Sequence, residues 1–273
     1  MRPYHRRMKW TPTERIDSEE PAWDESALAS PHDEKTKAAR VNRMFDAIAE
    51  SYDLNNRVHS LWRDQAWRRK AVGLAGVREG VDRVVDVACG TGDLTFAFAA
   101  AGPAEVVGID FVPRMIEIAK RKKEWHLGGG WLRVEPDFRV GDATALDGIE
   151  SEYADIVSIA FGIRNVDEPM KALREFRRIL RSGGRLMVLE FGLPRSRMLR
   201  AFYHFYFNQV MPRTATLLSR DRSGAYRYLP RSVQTFIGRD AMVEMMKEAG
   251  FGEVSIHPMT FGICIGYLGR VGV

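Results

Sequence analysis

Two glycines two positions apart, with carboxylates before and beyond them, are the residues of this chain best suited to chemistry. The run Val84-Val85-Asp86-Val87-Ala88-Cys89-Gly90-Thr91-Gly92-Asp93-Leu94-Thr95 sets a glycine-rich turn between an apolar stretch and a helix-period stretch. Gly90 and Gly92 carry no Cβ, so backbone amides on either side of Thr91 can approach a bound molecule closely. About 18 residues beyond Gly92 a second apolar run ends in Asp110, where a carboxylate can accept hydrogen bonds from both hydroxyls of a ribose. A third candidate group, Gly141-Asp142-Ala143, follows the apolar run Phe138 to Val140. Asp142 suits the cap of a helix as well as contact with an adenine ring.

A dinucleotide fingerprint requires a third glycine three residues after the second, and that position is Thr95. Asp86, four residues before Gly90, would repel a pyrophosphate, yet it can face a cofactor that carries an ammonium and a sulfonium. The pattern favours S-adenosylmethionine over NAD. Its binding set is Asp86, Gly90, Thr91, Gly92, Asp110, Asp142 and Ala143.

Such a turn works only if a strand and a helix hold it. Val81 to Ala88, Val106 to Asp110, Phe138 to Val140, Tyr153 to Ala160 and Arg185 to Glu190 read as strands. Helix-period segments lie between them at Leu94 to Ala101, at Arg114 to Trp125, and at Ala172 to Leu180, the last ended by Gly183-Gly184. Strands alternating with helices imply a doubly wound α/β fold, a mostly parallel sheet covered on both faces. Near the C-terminus, Ala241 to Ala249 makes a further helix closed by Gly250. Val254 to His257 and Ile263 to Leu268 then pair as an antiparallel C-terminal hairpin. Upstream, Ala38, Val41, Phe45, Ile48, Ala49 and Tyr52 share one helix face between Lys35 and Asp53, and Leu61 to Val72 continues as a second helical stretch.

The chain has 273 residues, 45% of them hydrophobic, which is enough to bury a large core and excludes a disordered or fibrous protein. Residues 1–35 read as a disordered polar tail, and 36–273 as a single domain. The opening arginines lack the apolar stretch of a secretory signal, and Glu14 to Glu25 is too acidic for a mitochondrial transit peptide. Cys89 and Cys264 match no metal spacing and no disulfide framework, which fits a reducing cytoplasm. No run of about 18 uncharged apolar residues spans a bilayer. A net charge of +5 suits an anionic surface such as lipid headgroups, or an ordinary enzyme with a modest basic excess.

Beside Asp86, Gly90 and Gly92, the blocks Met44 to Asn56 and Phe161 to Val166 resemble the UbiE/MenG family of quinone C-methyltransferases. Asp86, Gly90 and Gly92 match the D-x-x-x-G-x-G motif of class I methyltransferases. Met44-Phe45-Asp46-Ala47-Ile48-Ala49-Glu50-Ser51-Tyr52-Asp53-Leu54-Asn55-Asn56 is similar to the family's entry helix, and Phe161-Gly162-Ile163-Arg164-Asn165-Val166 to its F-G-[LI]-R-N-V block. Further matches occur at Gly183 to Phe191, Met211-Pro212-Arg213, Tyr226 to Leu229 and Ala249-Gly250-Phe251. Two departures are Cys89, where many members have glycine, and Ala160, where some have serine.

The resemblance implies a Rossmann-like class I methyltransferase sheet with a helical lid. The implied reaction moves the sulfonium methyl to a ring carbon of demethylmenaquinol, or of 2-methoxy-6-polyprenyl-benzoquinol in the ubiquinone pathway. Tyr228-Leu229-Pro230-Arg231-Ser232-Val233 favours the first. No metal is required, and a prenylated quinol is the implied partner. Arg164 is the candidate for stabilising a phenolate, since a guanidinium stays charged; a loop arginine paired with an acid is the other reading. Asn165 can orient the second oxygen. Tyr52 is either a lid residue assisting proton transfer or the last core residue of its helix.

An aromatic helical insertion around 198–235, with Ala201-Phe202-Tyr203-His204-Phe205-Tyr206-Phe207 at its centre, suits a prenyl-tail wall or contact with a membrane surface from the cytoplasmic side. It equally suits a helix packed on the core, and a homodimer is left open. RNA methylation on the same fold is the competing class, and it lacks an aromatic-basic nucleic-acid module here.

Overall fold

The computed structural model describes residues 22–32, 36–211, 213–214 and 223–272. Five parallel strands run as β1 (Arg83–Val87), β2 (Glu105–Asp110), β3 (Asp137–Val140), β4 (Ala154–Ala160) and β5 (Leu180–Phe191). They are joined by β6 (Glu253–Met259) and β7 (Cys264–Arg270) in one sheet of order β3-β2-β1-β4-β5-β7-β6. β7 lies antiparallel between β5 and the edge strand β6, so the expected C-terminal hairpin is present.

The chain leaves β1 toward β2 on one side and returns to β4 on the other. The order therefore reverses at β1 and β4, and a crevice opens beyond their C-terminal ends, where ligands bind in open α/β sheets. Both the glycine turn after β1 and the Phe161–Val166 segment after β4 emerge there.

Successive strand residues serve opposite faces, and both faces are apolar. Val84, Ile156 and Met187 pack with Trp67, Ala71 and Phe98, whereas Val85, Val157 and Leu186 pack with Phe176 and Met246. The covering helices are α3 (Arg63–Ala75), α4 (Asp93–Ala100), α5 (Pro113–Gly128) and α6 (Pro169–Ile179), with a late helix at Arg239–Glu248.

Three expectations need correction. The entry helix, α2 (Lys37–Ser60), does not stop near Asp53: residues 54–60 hold no glycine or proline, and the helix ends only where Leu61 turns left-handed. Helix α6 stops at Ile179, because Leu180 is already extended and pairs with Ala154; Gly183-Gly184 then lie inside β5. Of the expected polar tail, residues 1–21 lie outside the described residues. Residues 22–32 fold onto the domain through α1 (Glu25–Ala29), with Trp23 fully buried and stacked on Tyr228 at 4.2 Å. The buried ring is joined by Arg40 and Arg231, which donate to the Ala22 and Leu28 carbonyls at 2.9 Å and 3.0 Å, so apolar burial and backbone hydrogen bonds together hold the segment.

The insertion contains α7 (Arg197–Phe205), a π-wound continuation at Tyr206–Val210, and α8 (Ala225–Thr235). Pro212, Leu217 and Leu218, and the side chains of Phe202 and His204, lie outside what is described.

Candidate active site

Three of the proposed cofactor residues shape the turn from behind. Asp86 is 1% exposed, and its carboxylate accepts from Thr95 Oγ1 and Ser158 Oγ, both at 2.6 Å. Burial pushes its pKa up to about 6. It therefore holds the root of the turn and does not line the cofactor crevice, contrary to expectation; β1 points this residue into the protein. Thr91 is also buried, its hydroxyl donating to Asp53 Oδ1 at 2.6 Å. Gly92 has φ 90°, and a Cβ there would meet Phe138 at 2.8 Å and Phe96 at 2.9 Å.

The others face a cavity of about 430 Å³ at the switch point, whose wall includes Gly90, Asp110, Asp142, Ala143 and Asn165. Asp110 accepts from the Gly90 amide at 2.8 Å and the Val112 amide at 2.9 Å, which ties the end of β2 to the glycine turn. Burial raises its pKa to about 6. Asp142 caps no helix: its Oδ1 accepts from the Thr144 amide at 2.8 Å and closes a turn. Asp110, Asp142, Asp167 and Glu168 set four carboxylates on this wall against one ammonium, Lys171. That balance suits a cationic adenosyl cofactor and opposes a pyrophosphate. Cys89 offers no nucleophile, because burial pushes its thiol pKa well up.

A second, more apolar cavity of about 540 Å³ adjoins the first. Phe45, Tyr52 and Phe161 line both, so these three rings form the partition between them. Tyr52 is half-buried, packs edge-on to Phe45 with ring centres 5.8 Å apart, and has its ring beside Gly90. Arg164 faces the second cavity and Asn165 the first. The Arg164 Nη1 donates to Glu190 Oε1 at 2.6 Å and to the Phe161 carbonyl at 2.7 Å, and the guanidinium sits 5.3 Å from the Phe191 ring centre. Its buried Nε has no partner among the described residues. Asn165 donates to the Phe161 carbonyl at 3.3 Å and accepts from the Tyr228 hydroxyl at 3.0 Å.

Sequence reasoning missed Glu190, Tyr228 and His59. Glu190 carried a signal, since an acid inside the apolar run Val188-Leu189-Glu190-Phe191 needs a buried partner. His59 lines the second cavity with Nδ1 3.0 Å from the Tyr206 hydroxyl, and burial lowers its pKa. A polar latch fastens α2 over the turn: Lys122 Nζ donates to Asp53 and Asp93 at 2.7 Å each, and Arg57 reaches Asp93 at 2.7 Å while also bonding Asp64.

Comparison with known proteins identifies the family. The model of the ubiE/COQ5 methyltransferase family matches residues 33–270. The chain is 43% identical over 227 residues to the demethylmenaquinone methyltransferase of Thermus thermophilus, covering 83% of this chain and 99% of that one. It is 41% identical over 237 residues to the ubiquinone/menaquinone biosynthesis C-methyltransferase UbiE of a Geobacter species, covering 85% and 97%. Among solved structures, a SAM-dependent methyltransferase of Thermotoga maritima shares the fold at TM-score 0.57 and 21% identity, covering 84% of this chain and 99% of that one. A family model spanning most of the chain, and relatives above 40% identity matched over nearly their whole length, lead to one assignment: the chain belongs to the ubiE/COQ5 methyltransferase family.

Proposed function

We propose that the protein transfers the methyl group of S-adenosylmethionine to a ring carbon of demethylmenaquinol, giving menaquinol. The observation that carries this reading is the partition: a carboxylate-rich cavity and an apolar cavity meet across Phe45, Tyr52 and Phe161, with a buried guanidinium on the apolar side. A donor and an acceptor of opposite character then meet at one place, and holding both reactants there supplies much of the rate.

The Gly90 backbone, Asp110, Asp142 and Ala143 would hold the cofactor, Asp110 through the ribose hydroxyls. When bound, the cofactor supplies an electrophilic methyl on sulfur. Arg164 lies where a quinol hydroxyl can meet its remaining N–H donors. Hydrogen bonding to the oxyanion favours loss of that proton, and the ring carbon ortho to it becomes nucleophilic. Asn165, held by Tyr228, keeps the Phe161–Val166 segment in place beside the partition. Tyr52 closes the donor side against water.

The benzoquinol of the ubiquinone pathway is the second acceptor to weigh, since it also presents a hydroquinone ring and a long tail. The Tyr228–Val233 block and the name of the Thermus relative favour demethylmenaquinol. RNA suits this site poorly, because a polyanion gains little from a largely apolar chamber. A prenylated quinol resides in a bilayer, and we propose that the protein meets it at the cytoplasmic surface; among the described residues no helix is long and apolar enough to cross a membrane.

The test is methyl transfer from labelled S-adenosylmethionine to reduced demethylmenaquinol, with the benzoquinol and bulk RNA in parallel, in the wild type and in Arg164→Ala. Label in the naphthoquinol that falls sharply in the variant is the expected result. Label in RNA alone, or in neither quinol, overturns the reading.

A further inference from the structure

The turns at the mouth of the apolar cavity are strained, and they expose large apolar side chains. Leu61 and Trp62 adopt φ of 51° and 59°, and Thr260 and Phe261 adopt 44° and 57°, a region that residues other than glycine rarely enter. The two turns are neighbours, because Trp67, one helical turn into α3, donates from Nε1 to Thr260 Oγ1 at 2.8 Å. Leu61 and Phe261 are each 78% exposed and Trp62 is 61% exposed, although Leu61 and Phe261 also belong to the cavity wall.

Helix α7 completes the rim. Leu199 and Tyr206 line the cavity, while their neighbours Met198 and Phe205 are 68% and 63% exposed. The exposed charge beside this apolar edge is basic, since the one acid of its wall nearby, Asp64, is buried. Arg63, Arg195 and Arg197 are exposed and pair with no carboxylate among the described residues, and the sequence from Gly192 to Val210 holds no acid.

We propose that this rim is the surface by which the protein docks on an anionic lipid bilayer, with Trp62, Phe205 and Met198 entering the headgroup region and the arginines meeting lipid phosphates. The inference rests on the prenylated-quinol reading only for its purpose, since the tail then passes from bilayer to cavity without crossing water. The docking itself stands on exposure and charge. Apolar side chains at the boundary and a basic fringe are the two terms that together hold a protein at a bilayer surface. Trp in particular favours the interface.

The full chain should be sedimented with phosphatidylglycerol-containing vesicles and with pure phosphatidylcholine vesicles, as wild type and as Trp62→Asn/Phe205→Ser. Asn tolerates a left-handed backbone, so the turn survives the exchange. The expected results are preferential binding to the anionic vesicles, a loss of about tenfold or more in the double variant, and unchanged methyl transfer to a tail-truncated, water-soluble quinol. Binding equal in variant and wild type overturns the proposal, as does a fall in oligomeric state on sizing, which would mark the rim as a contact between two copies. Failure of the quinol reading shows separately, as absence of methyl transfer by a wild type that still binds vesicles.

Discussion

Arg164 Nη1 and Glu190 Oε1 lie 2.6 Å apart, and the two side chains are only 6% and 3% exposed. The guanidinium is therefore not a free positive charge in the acceptor cavity. It is one half of a buried pair that Glu190 keeps oriented, and in the proposed reaction it would act on a bound hydroxyl through its remaining donors. Removing one half of such a pair leaves the other uncompensated in a low dielectric. Glu190→Gln should cost about 3–5 kcal/mol of folding stability, read as a drop in the urea midpoint without a change in slope.

Arg164 faces the acceptor cavity and not the cofactor cavity, so the two kinetic constants should separate. In Arg164→Ala, kcat with the quinol should fall about 100-fold to 1000-fold, as when one preorganised donor to a developing oxyanion is lost. The cofactor KM should stay near wild type. An equal rise in the cofactor KM would place this residue with the donor instead.

Asp110 gives a pH dependence with a definite sign. Its pKa rises from an ordinary 3.8 to about 6 because burial penalises the charged form. The folded protein therefore binds this proton more tightly than the unfolded chain does. The stability it contributes is fully present below 3.8 and is lost as pH rises through about 6. Cofactor binding runs the other way, since the ionised carboxylate is the better acceptor for two ribose hydroxyls. Calorimetric titration should show affinity falling as pH drops through about 6, and Asp110→Asn should bind weakly with a flat profile over the same range.

Gly92→Ala tests the turn. The backbone there is left-handed at φ 90°, and the added Cβ would come within 2.8 Å of Phe138 and 2.9 Å of Phe96. Ring displacement on top of backbone strain should cost about 2–4 kcal/mol, measured by denaturant unfolding, with a parallel loss of cofactor affinity.

The polar latch over the glycine turn is the fifth test. Asp93 is held ionised, below the usual carboxylate range, by Lys122, Arg68 and Arg57 around its buried carboxyl. Asp93→Asn should free α2 from the turn. The expected outcome is faster amide exchange along α2 in the unliganded protein and a destabilisation of about 2–4 kcal/mol. Exchange unchanged in α2 would show that its apolar face alone holds it down.

Much of this was legible in the sequence, because strands, helices and the glycine turn are local matters. The β-branched run from Val81 to Ala88 reads as a strand because it leads into a glycine turn, and Gly90 and Gly92 announce a turn that needs backbone freedom. The place of Asp110 at the end of β2 followed from spacing alone. The family blocks around Tyr52 and Arg164 were legible for the same reason, as contiguous runs.

The tertiary structure decided what depends on direction and on distant partners. Asp86 has the right residue type and spacing to face a cofactor, but strand alternation turns it inward to Thr95 and Ser158. Helix α6 ends early because Leu180 pairs with Ala154 in the sheet, and α2 runs on because nothing in residues 54–60 stops it before Leu61 turns left-handed. The segment around Trp23 reads as polar tail until Tyr228, two hundred residues away, offers a ring to stack on. Adjacent residues Arg164 and Asn165 face different chambers, and Glu190 meets Arg164 only because β4 and β5 lie side by side in the sheet. Contacts of that kind come from the order in which strands assemble, which no local pattern of residues encodes.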